Sequence, residues 1–418
     1  MLLQSFFGFS LVYFLFRNKI DFLLLFFLST SMYCWQIIYG TIWVPPYSFE
    51  ASSQSKQIVL IVFVILSIFT ILNDLLLRNK EELEYDKKSE GDAMFFYSVL
   101  TFISYLSCFV AIINVGPDIL SVSKKTFVAS SGLPFFFFIY YPAAIACLFF
   151  ITSKRYKYAF YAAMPLIFYV FVGFRAAAVI TFITGFFIIY YNQKIFNLKL
   201  YKPLILVIFA ISFFVLYKFS YIGLKLGDLS TIATIIEKDP RFTNYLEFFA
   251  YAFFSAEFGQ AASNLSLTSS MDLSSSYSFS DAVIGSIPLV DFITGIDEEK
   301  SRFSTVIEAY ANPGFSYGLG GSVWGEIYQA GGLGGVIIFA LIIIFIIFQY
   351  NLSLMRSKNK LVLFSFFVGF LAFYIHRNDF VLLTGHIKNI VILTTIGLIS
   401  LWLFKNKASL QPFTKKGS

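Results

Sequence analysis

The chain has 418 residues, of which 58% are hydrophobic and 13% charged, with a formal net charge of +7. Soluble globular domains are roughly 45–50% apolar, so this composition excludes one and points to a membrane protein. Basic residues facing anionic lipid account for the positive charge, and nothing calls for nucleic acid.

Segments of about 20 apolar residues fit a hydrocarbon layer ~30 Å thick. Eleven are expected in chain order, near residues 2–16, 22–43, 57–77, 93–114, 134–152, 158–174, 176–192, 203–222, 331–352, 361–376 and 389–404. The expected fold is all-α, a polytopic transmembrane helical bundle with a long, partly helical outer loop. The opening MLLQSFFGFSLVYFLFRNK carries its charges after the apolar run. It reads as a first span with its N-terminus outside, not as a cleaved signal peptide.

Short cytoplasmic loops collect Lys and Arg. With the start outside, the odd spans end inside at Arg17, Arg78, Lys154, Lys194, Arg356 and Lys405, and the alternation holds throughout. The layout is then spans one to eight in 1–222, a periplasmic loop in 223–330, spans nine to eleven in 331–404 and a cytoplasmic tail in 405–418. Cys34, Cys108 and Cys147 all fall inside spans, an odd number without metal spacing, so packing is their expected role. The charged loop RNKEELEYDKKSEGD reads as a solvated hairpin.

A loop of about a hundred residues normally carries function or disorder. This one contains LSTIATIIEK, the turn DPRF, an aromatic-rich stretch from Asn244 to Ala262 and, later, STVIEAYA. The aromatic stretch is expected to be an interfacial or re-entrant helix. The Ser-rich SNLSLTSSMDLSSSYSFSD is expected to be a flexible lid or linker.

Three features could carry chemistry. In FVGFRAAAV, Arg175 sits between two spans with almost no loop around it; it either serves a site or snorkels to headgroups. In YIHRNDF, His376, Arg377 and Asp379 precede His386 and Lys388, more polar groups than anchoring needs, although an Arg377–Asp379 pair capping two helices is the alternative. In GFSYGLGGSVWGEIYQAGGLGGV, nine of the 25 glycines surround Glu326. Glycine allows close backbone approach, so backbone N–H groups could line an anion or sugar site at a helix start, or the glycines could serve tight helix packing. Nucleotide readings fail, because no GxxxxGK[ST] occurs and each GxG lacks its third glycine. Arg241, Glu247, Glu257, Asp281, Asp291, Arg302 and Glu308 are further charges in the long loop. No DxD occurs, so neither a divalent metal nor any other cofactor is expected.

With these residues in view, the chain resembles the Wzy-type O-antigen polymerases. GxGGSxxGExY, from Gly318 to Tyr328, resembles that family's GxGxSxxxExYxNFGxxG in front of a span; GFRAAA resembles its GxRG element, and YIHRNDF its late outer Arg. The layout with one long outer loop matches over the whole chain. Departures are Gln329-Ala330 where Asn-Phe is usual, Ala176 where a glycine is common, and R-x9-G from Arg175 to Gly185 where some members have R-x10-G.

The resemblance implies a membrane glycosyltransferase of GT-C-like architecture at the periplasmic face of the inner membrane, acting on undecaprenyl-pyrophosphate-linked oligosaccharide. It also implies a chain-length regulator as partner. A hydroxyl of the new repeat unit attacks the anomeric carbon of the growing chain, and lipid pyrophosphate leaves. Fixed guanidinium groups stabilise the departing charge, which implies Arg175 and Arg377. A carboxylate drawn out of water suits the base, with Glu326 leading and Glu257, Glu308 and His376 as rivals. The implied binding set is Arg175, Arg377, His376, Gly320, Gly321, Ser322, Tyr328, Glu257 and Arg302. Three competitors remain open: a lipid-linked oligosaccharide flippase, which the long loop disfavours, an O-antigen ligase, whose loop His has no counterpart in 223–330, and a polytopic acyltransferase, which would usually place its His or Arg facing the other leaflet.

Overall fold

The computed structural model describes residues 1–44, 47–77, 90–116, 127, 130–131, 133–195, scattered positions between 201 and 217, 244–252, 258–271, 273, 277–285, 303–311, 321–354 and 362–409. These residues form helices α1 (Leu2–Arg17), α2 (Phe22–Tyr39), α3 (Ser53–Leu77), α4 (Glu90–Val115), α5 (Leu133–Thr152), α6 (Tyr156–Phe171) and α7 (Ala176–Ile189). Then come α8 (Tyr245–Ala250), α9 (Gln260–Ser270), α10 (Phe279–Gly285), α11 (Phe303–Ala311), α12 (Val323–Leu354), α13 (Val362–Phe373), a 3-10 turn (Ile375–Arg377) and α14 (Phe380–Ser409). Five are long and apolar enough to cross a membrane: α2, α3, α4, α12 and α14 over Phe380–Leu403. Shorter apolar helices accompany them at Leu2–Arg17, Phe137–Thr152, Ala176–Ile189 and Val362–Phe373. The chain is an all-α, multi-pass membrane protein. The expected span at 203–222 lies largely outside the described residues, as do the loop at 78–89 and the calls on LSTIATIIEK and DPRF.

Two short strands accompany the helices. Strands β1 (Thr41–Val44) and β2 (Tyr47–Glu50) pair antiparallel, with Thr41 opposite Glu50 and Val44 opposite Tyr47. The span expected to continue to residue 43 stops at Tyr39 because Gly40 takes φ 90°, the left-handed cap that glycine adopts without a Cβ clash. Gln36 then fixes the first strand: its Oε1 accepts from the Trp43 N–H at 3.1 Å and its Nε2 donates to the Trp43 carbonyl at 3.3 Å.

The chain divides into two units, Met1–Glu82 with Phe182–Arg356 and Phe367–His386, and Leu83–Thr181 with Ser357–Phe366 and Ile387–Ser418. In the first, α3 packs along α12 and against α1 and α2. Phe14 stacks on Phe27 at 4.4 Å, and Phe63 closes the cluster. At one end of this unit lies a buried ionic group: Arg17 donates through Nε to Asp74 at 2.7 Å and through Nη2 to Asp21, and the Tyr13 hydroxyl donates to Asp74 at 3.0 Å. In the second unit α4, α5 and α6 pack on one another. Tyr97 stacks on Phe149 at 4.0 Å, and a stack of Tyr140, Tyr169 and Phe174, with centroids 4.9 and 4.8 Å apart, leads up to Arg175. All three cysteines are buried free thiols, in keeping with a packing role.

The Ser-rich stretch is not a flexible lid where it is described, because SNLSLTSS belongs to α9 and most of it is buried. The reason is local satisfaction of its hydroxyls. Thr268 donates to the Asn264 carbonyl at 2.7 Å and Ser269 to the Ser266 carbonyl at 3.1 Å. The Ser52 N–H donates to Ser266 Oγ at 2.8 Å, and the Ser52 and Ser269 hydroxyls bond at 2.8 Å. Once satisfied, these short side chains let α9 lie against α2, α3 and α12. The aromatic stretch before it begins as α8, capped by Asn244, whose Oδ1 accepts from the Glu247 N–H at 2.9 Å.

Close approach of α9 to α12 requires Gly325. A Cβ built there would lie 2.0 Å from Thr268 Oγ1. Gly325→Ala is therefore expected to destabilise the folded protein by ~1–3 kcal/mol through overpacking. Thr268→Ala should recover most of that loss, as thermal unfolding in detergent would show.

Candidate functional site

The glycine motif starts a helix. Ser322 caps it, with the Glu326 N–H donating to the Ser322 carbonyl at 2.9 Å and the Gly325 N–H to Ser322 Oγ at 3.4 Å. The helix breaks at Gly331–Gly332, where Gly332 has φ 59°. Residues 323–330 thus form a short helix in front of the long apolar run, an arrangement that only glycine at 332 allows without strain.

Glu326 is fully buried. One carboxylate oxygen accepts from the Tyr277 hydroxyl. The other accepts from the Phe380 N–H at 2.6 Å, one of the N–H groups that the first turn of a helix leaves without an internal partner. The Tyr277 ring is held edge-on by Phe303 at 4.8 Å, beside the cluster of Leu273, Phe303 and Ile307. Burial and the neighbouring Glu326 carboxylate both push the Tyr277 phenol well above its ordinary pKa, so it stays protonated and donates.

Two residues before Glu326, the Trp324 indole N–H donates to His376 Nδ1 at 2.9 Å. An indole can only donate, so Nδ1 must be bare and the proton of the neutral ring sits on Nε2. That nitrogen faces Ser29 Oγ at 3.3 Å and Thr30 Oγ1 at 3.2 Å, while those hydroxyls donate to the Ala372 and Phe26 carbonyls. Burial pushes the imidazole pKa down to about 3. The ring is neutral at physiological pH and fully engaged.

Arg377 follows directly in the 3-10 turn and is half-buried; burial works against its charge. Asp379 stands two residues further on, at the start of α14. Its Oδ1 accepts from the Leu382 N–H at 3.0 Å, capping α14, and its Oδ2 accepts from the Ser304 hydroxyl at 2.9 Å. Because α14 begins at Phe380, His386 and Lys388 lie within it and not in a loop.

Gln329, directly after the ExY motif, has a visible task. Its amide nitrogen donates to the Thr268 and Met271 carbonyls at 2.5 and 2.6 Å, and its oxygen accepts from the Leu273 N–H at 3.1 Å. It closes the C-terminus of α9, whose last carbonyls would otherwise be orphaned.

The structure thus brings Glu326, Ser322, Gly321, His376 and Arg377 together within one unit. Arg175, half-buried at the start of α7, belongs to the other unit. Gly321 and Ser322 are buried and Tyr328 is half-buried, whereas Gly320, Glu257, Arg302 and the side chain of Glu308 fall outside the described residues. Tyr277 and Trp324 do not stand out in the sequence, and Gln329 does so only as a departure from the family pattern. Only their place in or beside the ExY motif and the Ser-rich run hinted at them.

A family model described as "Putative O-antigen polymerase" matches residues 10–239, more than half the chain. The chain belongs to the O-antigen polymerase family. The match takes in Arg175 and ends before Glu326 and Arg377. No curated protein and no solved structure matches the chain. Membership in the O-antigen polymerases makes the chain a glycosyltransferase-like polymerase whose substrate is a lipid-linked oligosaccharide in the membrane.

Proposed function

We propose that the chain elongates a surface polysaccharide at the periplasmic face of the inner membrane, moving the growing glycan from undecaprenyl pyrophosphate to one new lipid-linked repeat unit without a metal ion. The observation that carries this reading is the meeting of the ExY motif with the late arginine turn. Trp324 bonds His376 and Glu326 bonds the Phe380 N–H, across sequence separations of 52 and 54 residues. A carboxylate and a guanidinium beside a membrane helix are the two kinds of group that displacement of lipid pyrophosphate requires. The alternation of basic loops supports the choice of face, and the long loop of 223–330 supports a polymerase over a flippase.

In this reading a hydroxyl of the new unit attacks the anomeric carbon, and the carbon–oxygen bond to pyrophosphate breaks with its electron pair. Arg377 stabilises the charge on the departing phosphates, and Arg175 is the second guanidinium that the family resemblance assigns to that charge. Glu326 has no open face, so the proton of the hydroxyl reaches it by way of Tyr277: the phenol passes its own proton to Glu326 as it takes one from the sugar.

Arg175→Lys and Arg377→Lys keep the charge and lose the planar fork. Each is expected to lower the transfer rate on the order of 10²-fold with protein level unchanged. The assay is purified protein with a lipid-linked repeat unit, read as a ladder on a gel. Wild-type ladders from either variant would remove that arginine from the site. Loss of the gene should leave single repeat units on the carrier; unattached long polymer would indicate a ligase, and units retained inside a flippase.

A further inference from the structure

One short stretch of the chain holds the backbone turn around Arg377 at residues on both sides of it. Trp324 and Glu326 are two positions apart on a helix, so their side chains leave it about 200° apart around the axis. One holds His376, the residue before Arg377, and the other holds the backbone of Phe380, three residues after it. Between them, Gly321 lies against Asn378 and Asp379 so closely that a Cβ built on it would be 2.9 Å from both the Asp379 nitrogen and the Asp379 Cβ. On the far side, Ser29 and Thr30 of α2 support the imidazole, so the Trp324 contact acts on a ring that cannot swing away. Asn378 completes the turn by donating to the Tyr374 carbonyl at 2.5 Å.

We infer that the stretch Gly321–Glu326 is a splint for Arg377, with Trp324 and Gly321 as positioning residues of the transfer reaction. The inference rests on the reading that Arg377 meets the leaving pyrophosphate. Its physical basis is preorganisation: a guanidinium fixed before the charge develops costs no reorganisation at the moment of bond breaking, and the supporting contacts decide how well it is fixed. The glycine at 321 is there for contact with the arginine turn, and the tryptophan for its N–H as well as its bulk.

Trp324→Phe keeps a ring on the side of Phe339, which Trp324 meets at 5.5 Å, and removes the donor to His376 with a modest loss of bulk. Initial transfer rates on purified protein with an undecaprenyl-pyrophosphate repeat unit are expected to show turnover falling about tenfold, with KM within about twofold, because misplacement of a reacting group costs rate more than ground-state binding. Gly321→Ala should give the same signature by pushing Asn378–Asp379 outward. The deciding measurement is Trp324→Phe in an Arg377→Lys background, where the further loss should shrink to less than about twofold because the two residues act as one unit. If Trp324→Phe and Gly321→Ala leave turnover intact, or if Trp324→Phe costs as much in the Arg377→Lys background as alone, the splint is wrong. If Arg377→Lys itself leaves turnover unchanged, the role given to Arg377 fails first. Should Trp324→Phe not yield folded protein, judged by monodisperse elution, Gly321→Ala alone and in the Arg377→Lys background carries the same comparison.

Discussion

Glu326→Gln is expected to lower glycosidic bond formation by roughly 10²–10⁴-fold, the usual range for a general base, while the lipid-linked unit still binds. The substitution is informative because it leaves the geometry nearly intact. A glutamine oxygen can still accept from the Phe380 N–H, now at 2.6 Å, so the arginine turn keeps its support. The amide nitrogen faces the Tyr277 hydroxyl, which can rotate to accept. What disappears is the capacity to take a proton. Tyr277→Phe should then reproduce much of the defect, since it cuts the only described side-chain contact between the buried carboxylate and a group that is itself only partly buried. Ladder formation and binding of the labelled repeat unit, measured on the same protein preparation, separate the outcomes. A normal ladder from Glu326→Gln would move the base elsewhere and leave Glu326 a purely structural residue.

Arg17→Met is expected to be among the most destabilising single changes, at about 3–5 kcal/mol, because removing one partner from a buried ion pair leaves uncompensated charge. The side chains of Arg17 and Asp21 are 3% and 4% exposed, and Asp74 is 23% exposed. Without the guanidinium, Lys19 at 3.6 Å from Asp74 is the remaining cation of the group, and it is more exposed. Asp21 also caps α2 through the Leu24 N–H at 2.9 Å, so the loss should spread to the start of that helix. Restoring neutrality tests the cause. In the triple variant Arg17→Met, Asp21→Asn, Asp74→Asn, asparagine keeps a cap for α2 and an acceptor for Tyr13. Most of the stability should return in thermal unfolding of the detergent-solubilised protein. If the triple variant is as weak as the single one, packing of the Arg17 stem, and not its charge, is what matters.

Which parts of this protein could be read from the linear chain follows from the range of the forces involved. Long apolar runs are self-sufficient statements, since a backbone in hydrocarbon must satisfy its own hydrogen bonds as helix. The helices therefore emerged near their expected places, and family membership was visible in local phrases such as GFRAAA. The hairpin at 41–50 was not foreseen, because its cause is one glycine cap together with a glutamine reaching back from the preceding helix. The Ser-rich run was expected to be a flexible lid for the same reason in reverse: its serines look like linker until their hydroxyls find carbonyls in their own helix and a partner at Ser52.

For the site, the chain by itself determined the membrane class, the helical architecture, the family and three suspicious places: Arg175, the glycine motif with Glu326, and the turn with His376 and Arg377. Composition and spacing suffice for these, because they depend on residue type and local order. Only the tertiary structure decided that the glycine motif lies along the arginine turn, that Glu326 is shared between Tyr277 and the start of α14, and that His376 is a neutral, fully bonded ring. Those facts depend on donors and acceptors meeting across more than fifty residues of sequence, where a hydrogen bond a few ångströms long leaves no periodic trace.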